Sequence, residues 1–194
     1  NLVTEIPNLE KLYPSVEFLP IDKLDKIHTT RDLVYFDQAL DALKEKAWDV
    51  SGIINSDILL RADQSFQQSI INAAKGSIVF GSRIDINSAD ETTGEIWPHG
   101  YDFFFFDREV LNLYPKSPFR IGAPWWDIWA SIVPSLSGVA TKLLVDPVAF
   151  HVRHKGQWEH GPEWDKYGHL LIENLAQFGH QYFSKDQEKL KTDK

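Results

Sequence analysis

The sequence predicts an α/β fold in which one mixed β-sheet is flanked by helices. Apolar segments of strand length alternate along the chain with segments whose apolar residues recur at helical spacing. No internal repeat or low-complexity linker interrupts this alternation, which is typical of a sheet packed between helices. The 194 residues are enough for one domain with its own core. We assign residues 1–184 to that domain and residues 185–194 to a charged tail.

Helices are predicted where apolar residues recur every three or four positions. In the first of them the recurring residues are Leu33, Phe36, Leu40 and Leu43, and Thr29 or Thr30 could provide the N-cap. Pro134 is expected to end or kink a later one. The predicted helices cover residues 31–46, 66–74, 108–113, 124–136 and 163–183.

Strands are predicted for the short apolar segments between the helices. The segment 50–55 is so apolar that we expect it to be buried, and an acid stands at each end of the aromatic segment 102–107. Residues 88–99 are polar and are predicted to form a loop. The predicted strands cover residues 16–19, 50–55, 77–83, 102–107, 142–145 and 148–152.

The composition excludes several classes of function. A formal net charge of −8 argues against broad binding of nucleic acid, which depends on Lys and Arg at the phosphates. No apolar run approaches the roughly 20 residues of a membrane span. The chain has no Cys, which rules out disulfides and thiolate metal sites. That fits a reducing compartment, and we expect the protein to be cytoplasmic.

The first candidate site is Asn55-Ser56-Asp57, where the strand 50–55 ends. In open α/β sheets, ligands bind beyond the carboxyl ends of the strands. A carboxylate beside Asn and Ser oxygens is suited to a hard cation. Taken alone, the three residues are more typical of a turn or a helix cap.

The second candidate is the pair His151 and His154 near the end of the last strand. Both can be metal ligands only if the strand breaks between them, because side chains alternate faces along a strand. Imidazole suits Mn, Fe, Co or Zn better than Mg. Arg153 and Lys155 add positive charges suited to phosphate. The alternative is a surface His pair beside ordinary solvated charges.

The third candidate is Asp127 in the first turn of a predicted helix, beside Trp125, Trp126 and Trp129. The helix dipole alone would explain a carboxylate there. An Asp surrounded by indoles would instead have a raised pKa, as a general base needs. Indole faces also stack on sugar rings, although core packing is the alternative for each Trp. Gly100 would let a ligand approach the backbone closely, before the aromatic strand.

The order of these motifs resembles that of a GT-A-fold glycosyltransferase. Asn55-Ser56-Asp57-Ile58 and Gly122-Ala123-Pro124-Trp125-Trp126-Asp127 are similar to motifs of a group of small bacterial and phage-type glycosyltransferase-like proteins. The Gly-led aromatic strand and the two His after a late strand complete the pattern. The resemblance extends over residues 50–158 and implies a single Rossmann-like mixed sheet. GT-A folds begin with a strand and helix that build the nucleotide pocket, whereas this chain begins near the second strand. We therefore expect either a missing N-terminal strand or a minimal pocket.

The resemblance also implies roles for individual residues. Asp57 would bind the divalent metal, Mn²⁺ or Mg²⁺, that holds the donor diphosphate, with His154 as a second ligand and His151 as its substitute. Asp127 would be the catalytic base of an inverting enzyme. Asn55 departs from the Asp usual at its position. Two further groups are implied: a nucleotide-sugar side of Asn55, Ser56, Thr30, Arg31, His151, Arg153 and Lys155, and an acceptor side of Gly100, Trp125 and Trp126.

The expected function is therefore transfer of a sugar from a nucleotide sugar, with a UDP-sugar favoured, to a hydroxyl of a glycan or another acceptor. The sequence leaves open whether the transfer inverts or retains the anomeric configuration. Two alternatives also stay open. One is a metal-dependent phosphoesterase that uses Asp57, His151 and His154. The other is a carbohydrate-binding module whose Trp residues stack on glycans without catalysis.

Overall fold

The computed structural model describes residues 33–154 and 161–192, together with the single residues 11, 14 and 16. This part of the chain forms five helices and eight strands. The helices are α1 (Phe36–Lys44), α2 (Gln64–Ala74), α3 (Arg108–Leu111), α4 (Trp126–Leu136) and α5 (Pro162–Thr192). The strands are β1 (Val50–Ile54), β2 (Ile58–Leu60), β3 (Ser77–Gly81), β4 (Ile84–Ile86), β5 (Glu95–Ile96), β6 (Phe103–Asp107), β7 (Ala140–Leu144) and β8 (Ala149–Val152).

The strands form two mixed sheets of four strands each. The first has the order β1-β6-β3-β7, with β6 antiparallel to both neighbours and β3 parallel to β7. The second has the order β2-β8-β4-β5, with only β8 and β4 parallel. The prediction of a mixed α/β fold is thus confirmed. The prediction of a single sheet is wrong.

Two sheets arise because the chain bends from the first sheet into the second at three places. Residues 55–57 join β1 to β2, residues 82–83 join β3 to β4, and residues 145–148 join β7 to β8. The strands β1, β3 and β7 run in the same direction, so the three bends lie side by side at the carboxyl ends of these strands, along one border of the first sheet. We call this border the bend edge. It is also where β6 begins, directly after Asp102.

The main core lies between the first sheet and the helices α1, α3, α4 and α5. Phe104 and Trp129 are completely buried there. The other face of the sheet is covered by α2, through Ile70 and Ala74. The second sheet has only a small apolar cluster, which consists of Ile84, Ile86 and Phe150 with Val152 packed against it.

β1 differs from the buried strand that its apolar sequence predicts. It is an edge strand, paired only with β6 among the described strands, and Ile54 is 39% exposed. Only Ile53 of the strand is buried. At Gly52 a Cβ would lie 2.6 Å from Cδ1 of Phe105, so this position needs glycine. β1 therefore contributes one buried side chain to the core, although its apolar sequence predicts that the whole strand is buried.

The helix boundaries show which predictions were too long or too short. α1 begins at Phe36 rather than at residue 31, and its N-cap is Tyr35. The predicted caps, residues 29 and 30, lie outside the described residues. α2 agrees with its prediction and begins after Asp63, whose side chain accepts a hydrogen bond from Phe66 N. α5 continues to Thr192 and so includes most of the predicted tail. The predicted strand 16–19 lies outside the described residues, apart from residue 16.

α4 continues past Pro134 to Leu136, although Pro134 was expected to end or kink it. Proline cannot donate a hydrogen bond to the carbonyl four residues earlier, which belongs to Ala130. That carbonyl instead accepts a hydrogen bond of 2.6 Å from the buried hydroxyl of Tyr114. The prolyl residue is therefore tolerated because a side chain satisfies the acceptor that it leaves unpaired.

Candidate metal centre and the acids around it

Three of the predicted site residues meet at the bend edge. Asp57 ends the bend between β1 and β2, His151 lies in β8, and His154 follows the end of that strand at Val152. The two His Nε2 atoms are 3.1 Å apart. They lie 3.5 Å (His151) and 3.4 Å (His154) from Oδ2 of Asp57. The strand thus breaks between the two His, as their joint use requires.

The donor set fits one divalent cation. Ligand atoms at about 2.0–2.2 Å from an ion lie roughly 3 Å from one another, which is close to the spacing seen here. Two imidazole nitrogens and one carboxylate oxygen suit Mn²⁺, Fe²⁺, Co²⁺ or Zn²⁺ better than Mg²⁺. The side chain of His151 is 6% exposed, whereas those of His154 and Asp57 are 45% and 46% exposed. Burial thus fixes one of the three candidate ligands, whereas the other two lie on a side of the group that is open to solvent.

His151 is oriented by Asp85, which the sequence reasoning missed. Nδ1 of His151 donates to Oδ1 of Asp85 over 3.0 Å, which leaves the Nε2 lone pair directed at the candidate metal position. The contact follows from register, because Asp85 pairs with His151 in the parallel strands β4 and β8. The available signal was a lone acid between Ile84 and Ile86 in a strand, but its partner depended on strand pairing.

Arg83 connects Asp85 with Asp102. Its Nε donates to Oδ1 of Asp85 over 2.8 Å, and its Nη1 lies 3.2 Å from Oδ2 of Asp102. Burial disfavours the charged guanidinium, but the two carboxylates outweigh this cost and raise the pKa of Arg83. Arg83 therefore stays charged and holds the two acids in fixed positions behind the metal ligands.

Asn55 contacts this network through Asp102. Its Nδ2 donates to Oδ1 of Asp102 over 2.7 Å, and its backbone N–H donates to the Asp102 carbonyl over 2.9 Å. A carboxylate at position 55 could not donate and would repel buried Asp102. This contact gives a physical reason for Asn where the resemblance implied Asp. Ser56, the next residue, is exposed.

Asp127, the candidate base, lies in the first turn of α4 against the backbone of the loop before β6. Its Oδ2 accepts a hydrogen bond of 3.1 Å from Tyr101 N. Burial raises the pKa of Asp127, with a smaller contribution from the charge of Asp102, while the Tyr101 N–H opposes the shift. The predicted direction of the pKa shift is confirmed. Asp102 thus lies near both Asp127 and the residues behind the metal ligands.

The Trp residues next to Asp127 have different surroundings. Trp126 is 3% exposed and packs against Phe36 and Phe104 in the main core, so its prediction as an acceptor-side residue is wrong. It begins α4, and its side chain is directed into the first sheet. Trp125 precedes it in a left-handed conformation with φ 70°, which costs a non-glycine residue about 1 kcal/mol or more. Its Nε1 donates to the Trp164 carbonyl over 3.0 Å, which holds it half-buried.

The remaining predicted residues lie further out or outside the described part of the chain. Arg153 follows β8, and its guanidinium contacts Glu95 and Asn87 on the side of β5. Thr30, Arg31 and Lys155 lie outside the described residues.

Comparison with known proteins assigns the chain to no class of protein. The chain matches no model of a protein family, no curated protein and no solved structure. Within the described residues, none of the helices combines the length and the apolar character needed to span a bilayer. The case for a function therefore depends on the arrangement of residues at the bend edge.

Proposed function

We propose that this protein is a metal-dependent glycosyltransferase that moves a sugar from a nucleotide sugar, with a UDP-sugar favoured, to an acceptor hydroxyl. The first sheet, with three strands running in one direction and β6 against them, would serve as a GT-A-like sheet. Asp57, His151 and His154 would hold Mn²⁺, which Mg²⁺ could replace less well. The bound cation would neutralise the donor diphosphate and the charge that develops on it as it leaves.

The observation that carries the proposal is the meeting of Asp57, His151 and His154 where two strands end. They form a group of nitrogen and oxygen donors with an open side, and they were singled out separately in the sequence. A formal net charge of −8 disfavours the binding of a diphosphate anion, and Arg83 is already engaged by Asp85 and Asp102. A metal at this group supplies the missing positive charge.

Asp127 has the properties of a base for the same reaction. Its raised pKa makes its carboxylate a better proton acceptor than an exposed Asp. In an inverting transfer the acceptor oxygen forms a bond to the anomeric carbon, and the bond from that carbon to the diphosphate breaks. The hydroxyl proton then passes to Asp127, and the nucleoside diphosphate leaves. In a retaining transfer Asp127 would only position the sugar.

Nucleotide binding tests the proposal directly. We expect Mn²⁺ together with UDP or a UDP-sugar to raise the Tm of the protein, because a ligand at 100 times its Kd stabilises the folded state by about 2.7 kcal/mol. Asp57→Ala should abolish this rise. Asp90→Ala, which removes an equally negative exposed side chain outside the metal group, should preserve it. If no nucleotide sugar binds in the presence of Mn²⁺, the proposal is wrong.

Activity tests the assignment of Asp127. Asp127→Asn should bind the donor normally and transfer sugar about 10²–10⁴ times more slowly. Transfer at the wild-type rate would remove Asp127 from the mechanism. Release of phosphate from simple phosphoesters, without any dependence on a sugar, would favour the phosphoesterase alternative for the same metal group.

A further inference from the structure

Trp97 in the loop between β5 and β6 is held in a fixed position beside the site. Its backbone N–H donates to the Arg83 carbonyl over 2.9 Å. The guanidinium of Arg83 lies 5.2 Å from the centre of its ring, and the His99 ring lies 5.1 Å away at an angle of 81°. Trp97 nevertheless remains 39% exposed. A large aromatic side chain that is both ordered by its neighbours and open to solvent is suited to bind a ligand.

Gly100 separates Trp97 from Asp127. A Cβ on Gly100 would lie 2.9 Å from Oδ2 of Asp127 and 4.0 Å from Nε1 of Trp97. Apart from the residues adjoining Gly100 in the chain, no other atom of the described residues lies within 4 Å of that point. The absent side chain thus leaves a space that is bordered by the candidate base and by the indole of Trp97. The two groups are close enough to contact a single monosaccharide.

We propose that Trp97, His99, Gly100 and Asp127 form a subsite for an acceptor sugar. This inference rests on the proposed function and narrows its acceptor to a glycan. The apolar face of a pyranose ring would pack on the exposed part of Trp97, and one of its hydroxyls would lie over Gly100 at the carboxylate of Asp127. His99 would offer a ring nitrogen to a neighbouring hydroxyl. Trp97 would thus stack on the acceptor sugar, which Trp126 cannot do because it is buried in the main core.

The position of Trp97 distinguishes it from the other strongly exposed tryptophan among the described residues. Trp48 is 56% exposed, but it precedes the first residue of β1 and so lies at the opposite end of that strand from the bend edge. Exposure alone would favour Trp48 as a sugar-binding residue. The neighbourhood of Asp127 favours Trp97. Trp48 is therefore a matched control for loss of an exposed indole.

The test uses the full chain with Trp97→Ala, Trp97→Phe and Trp48→Ala. For each protein, calorimetry with Mn²⁺ and a panel of nucleotide sugars measures donor binding, and initial rates with a panel of methyl glycosides measure acceptor KM. We expect Trp97→Ala to raise the acceptor KM at least about tenfold with no change in donor Kd. Trp97→Phe should retain most of the acceptor affinity because it keeps an aromatic face. Trp48→Ala should match the wild type in both measurements.

The outcomes separate this inference from the proposed function. If the wild type binds a nucleotide sugar but Trp97→Ala leaves the acceptor KM unchanged, the subsite is wrong and the proposed function stands. If the wild type binds no nucleotide sugar, the proposed function fails, and titration of the protein with the same glycosides decides the subsite. A change in the NMR signal of the Trp97 indole N–H, absent in Trp97→Ala, would support sugar binding there. An unchanged signal would overturn it.

Discussion

The two sheets differ in what holds them together. The first has a helix layer on each face, and β3, one of its two central strands, is buried along its whole length. The second has an apolar cluster of only a few side chains, but it carries His151 and Asp85, and its first strand directly follows Asp57. Stability thus resides mainly in the first sheet and the candidate chemistry at its border with the second. Substitutions in the two sheets should therefore separate loss of folding from loss of metal binding.

The largest effect on stability is expected from Phe104→Ala in the first sheet. Phe104 is completely buried and contacts the rings of Phe80 and Trp126. Its truncation leaves a cavity in the main core and should cost about 3–5 kcal/mol of the free energy of unfolding. Chemical denaturation measures the loss. Ile172→Ala, at a residue that is 69% exposed, is the control and should change stability by less than about 0.5 kcal/mol.

Phe150→Ala in the second sheet should have a smaller effect on stability and a visible effect on the metal centre. Phe150 is 3% exposed, but its cluster is small, so we expect a loss of about 3 kcal/mol, at the lower end of the range for such a truncation. Because Phe150 adjoins His151 in β8, Mn²⁺ affinity should fall even in the folded variant. Equal losses of stability for Phe104→Ala and Phe150→Ala, with unchanged Mn²⁺ affinity, would contradict the division between the sheets.

Asp85→Asn should weaken the candidate metal centre, and it should also lower stability, because the largely buried Arg83 loses one of its two carboxylate partners. An amide orients the His151 ring less firmly than a carboxylate, and loss of such a partner costs roughly 10–100-fold in metal affinity. Calorimetric titration with Mn²⁺ measures the change, and a thermal melt without metal checks the fold. Asp90→Asn provides the matched control. A purely structural role for Asp85 would lower the Tm and leave the Mn²⁺ affinity of the folded protein unchanged.

The smallest effect on stability is expected from Asp127→Asn. Unlike the preceding substitutions, it should stabilise the protein at neutral pH. Burial raises the pKa of Asp127 in the folded state above its ordinary value of 3.8, so folding favours the protonated acid. The contribution of this acid to stability is therefore complete below pH 3.8 and is lost as the pH rises through the raised value. At neutral pH, Asp127→Asn should melt a few degrees above the wild type. The gap should narrow as the pH falls towards 3.8, and a gap that does not vary with pH would contradict this account.

The sequence predicted the elements that have a strong local pattern and the site residues whose side chains are typical metal ligands. β6 and α2 came out close to their observed bounds because an aromatic run and a helical repeat are strong signals. The candidate metal ligands were recognisable as an acid after one strand and two imidazoles near the end of another. Their meeting was harder to predict, because it depends on pairing between β2 and β8, and β2 has only three residues.

The missed features depend on tertiary contacts that no local pattern contains. The role of Asp85 follows from its register with His151 across two parallel strands. Burial of Trp126 follows from the direction of the first turn of α4 over the sheet, whereas exposure of Trp97 follows from a loop without a helical or strand pattern. Residue type alone therefore does not distinguish Trp97 from Trp126. Only the packing around each tryptophan decides whether it belongs to the core or can bind a ligand.

The three bends have a consequence for local unfolding. They contain three, two and four residues, and such short connections cost little closure entropy once the first sheet has formed. The second sheet, whose strands have two to four residues, can therefore assemble on a folded neighbour although it is too small to fold alone. It should open as one cooperative unit before the first sheet, with faster amide hydrogen exchange. Because Asp57 and the two His approach from different strands, that opening would separate them, and a bound cation would slow exchange throughout the second sheet.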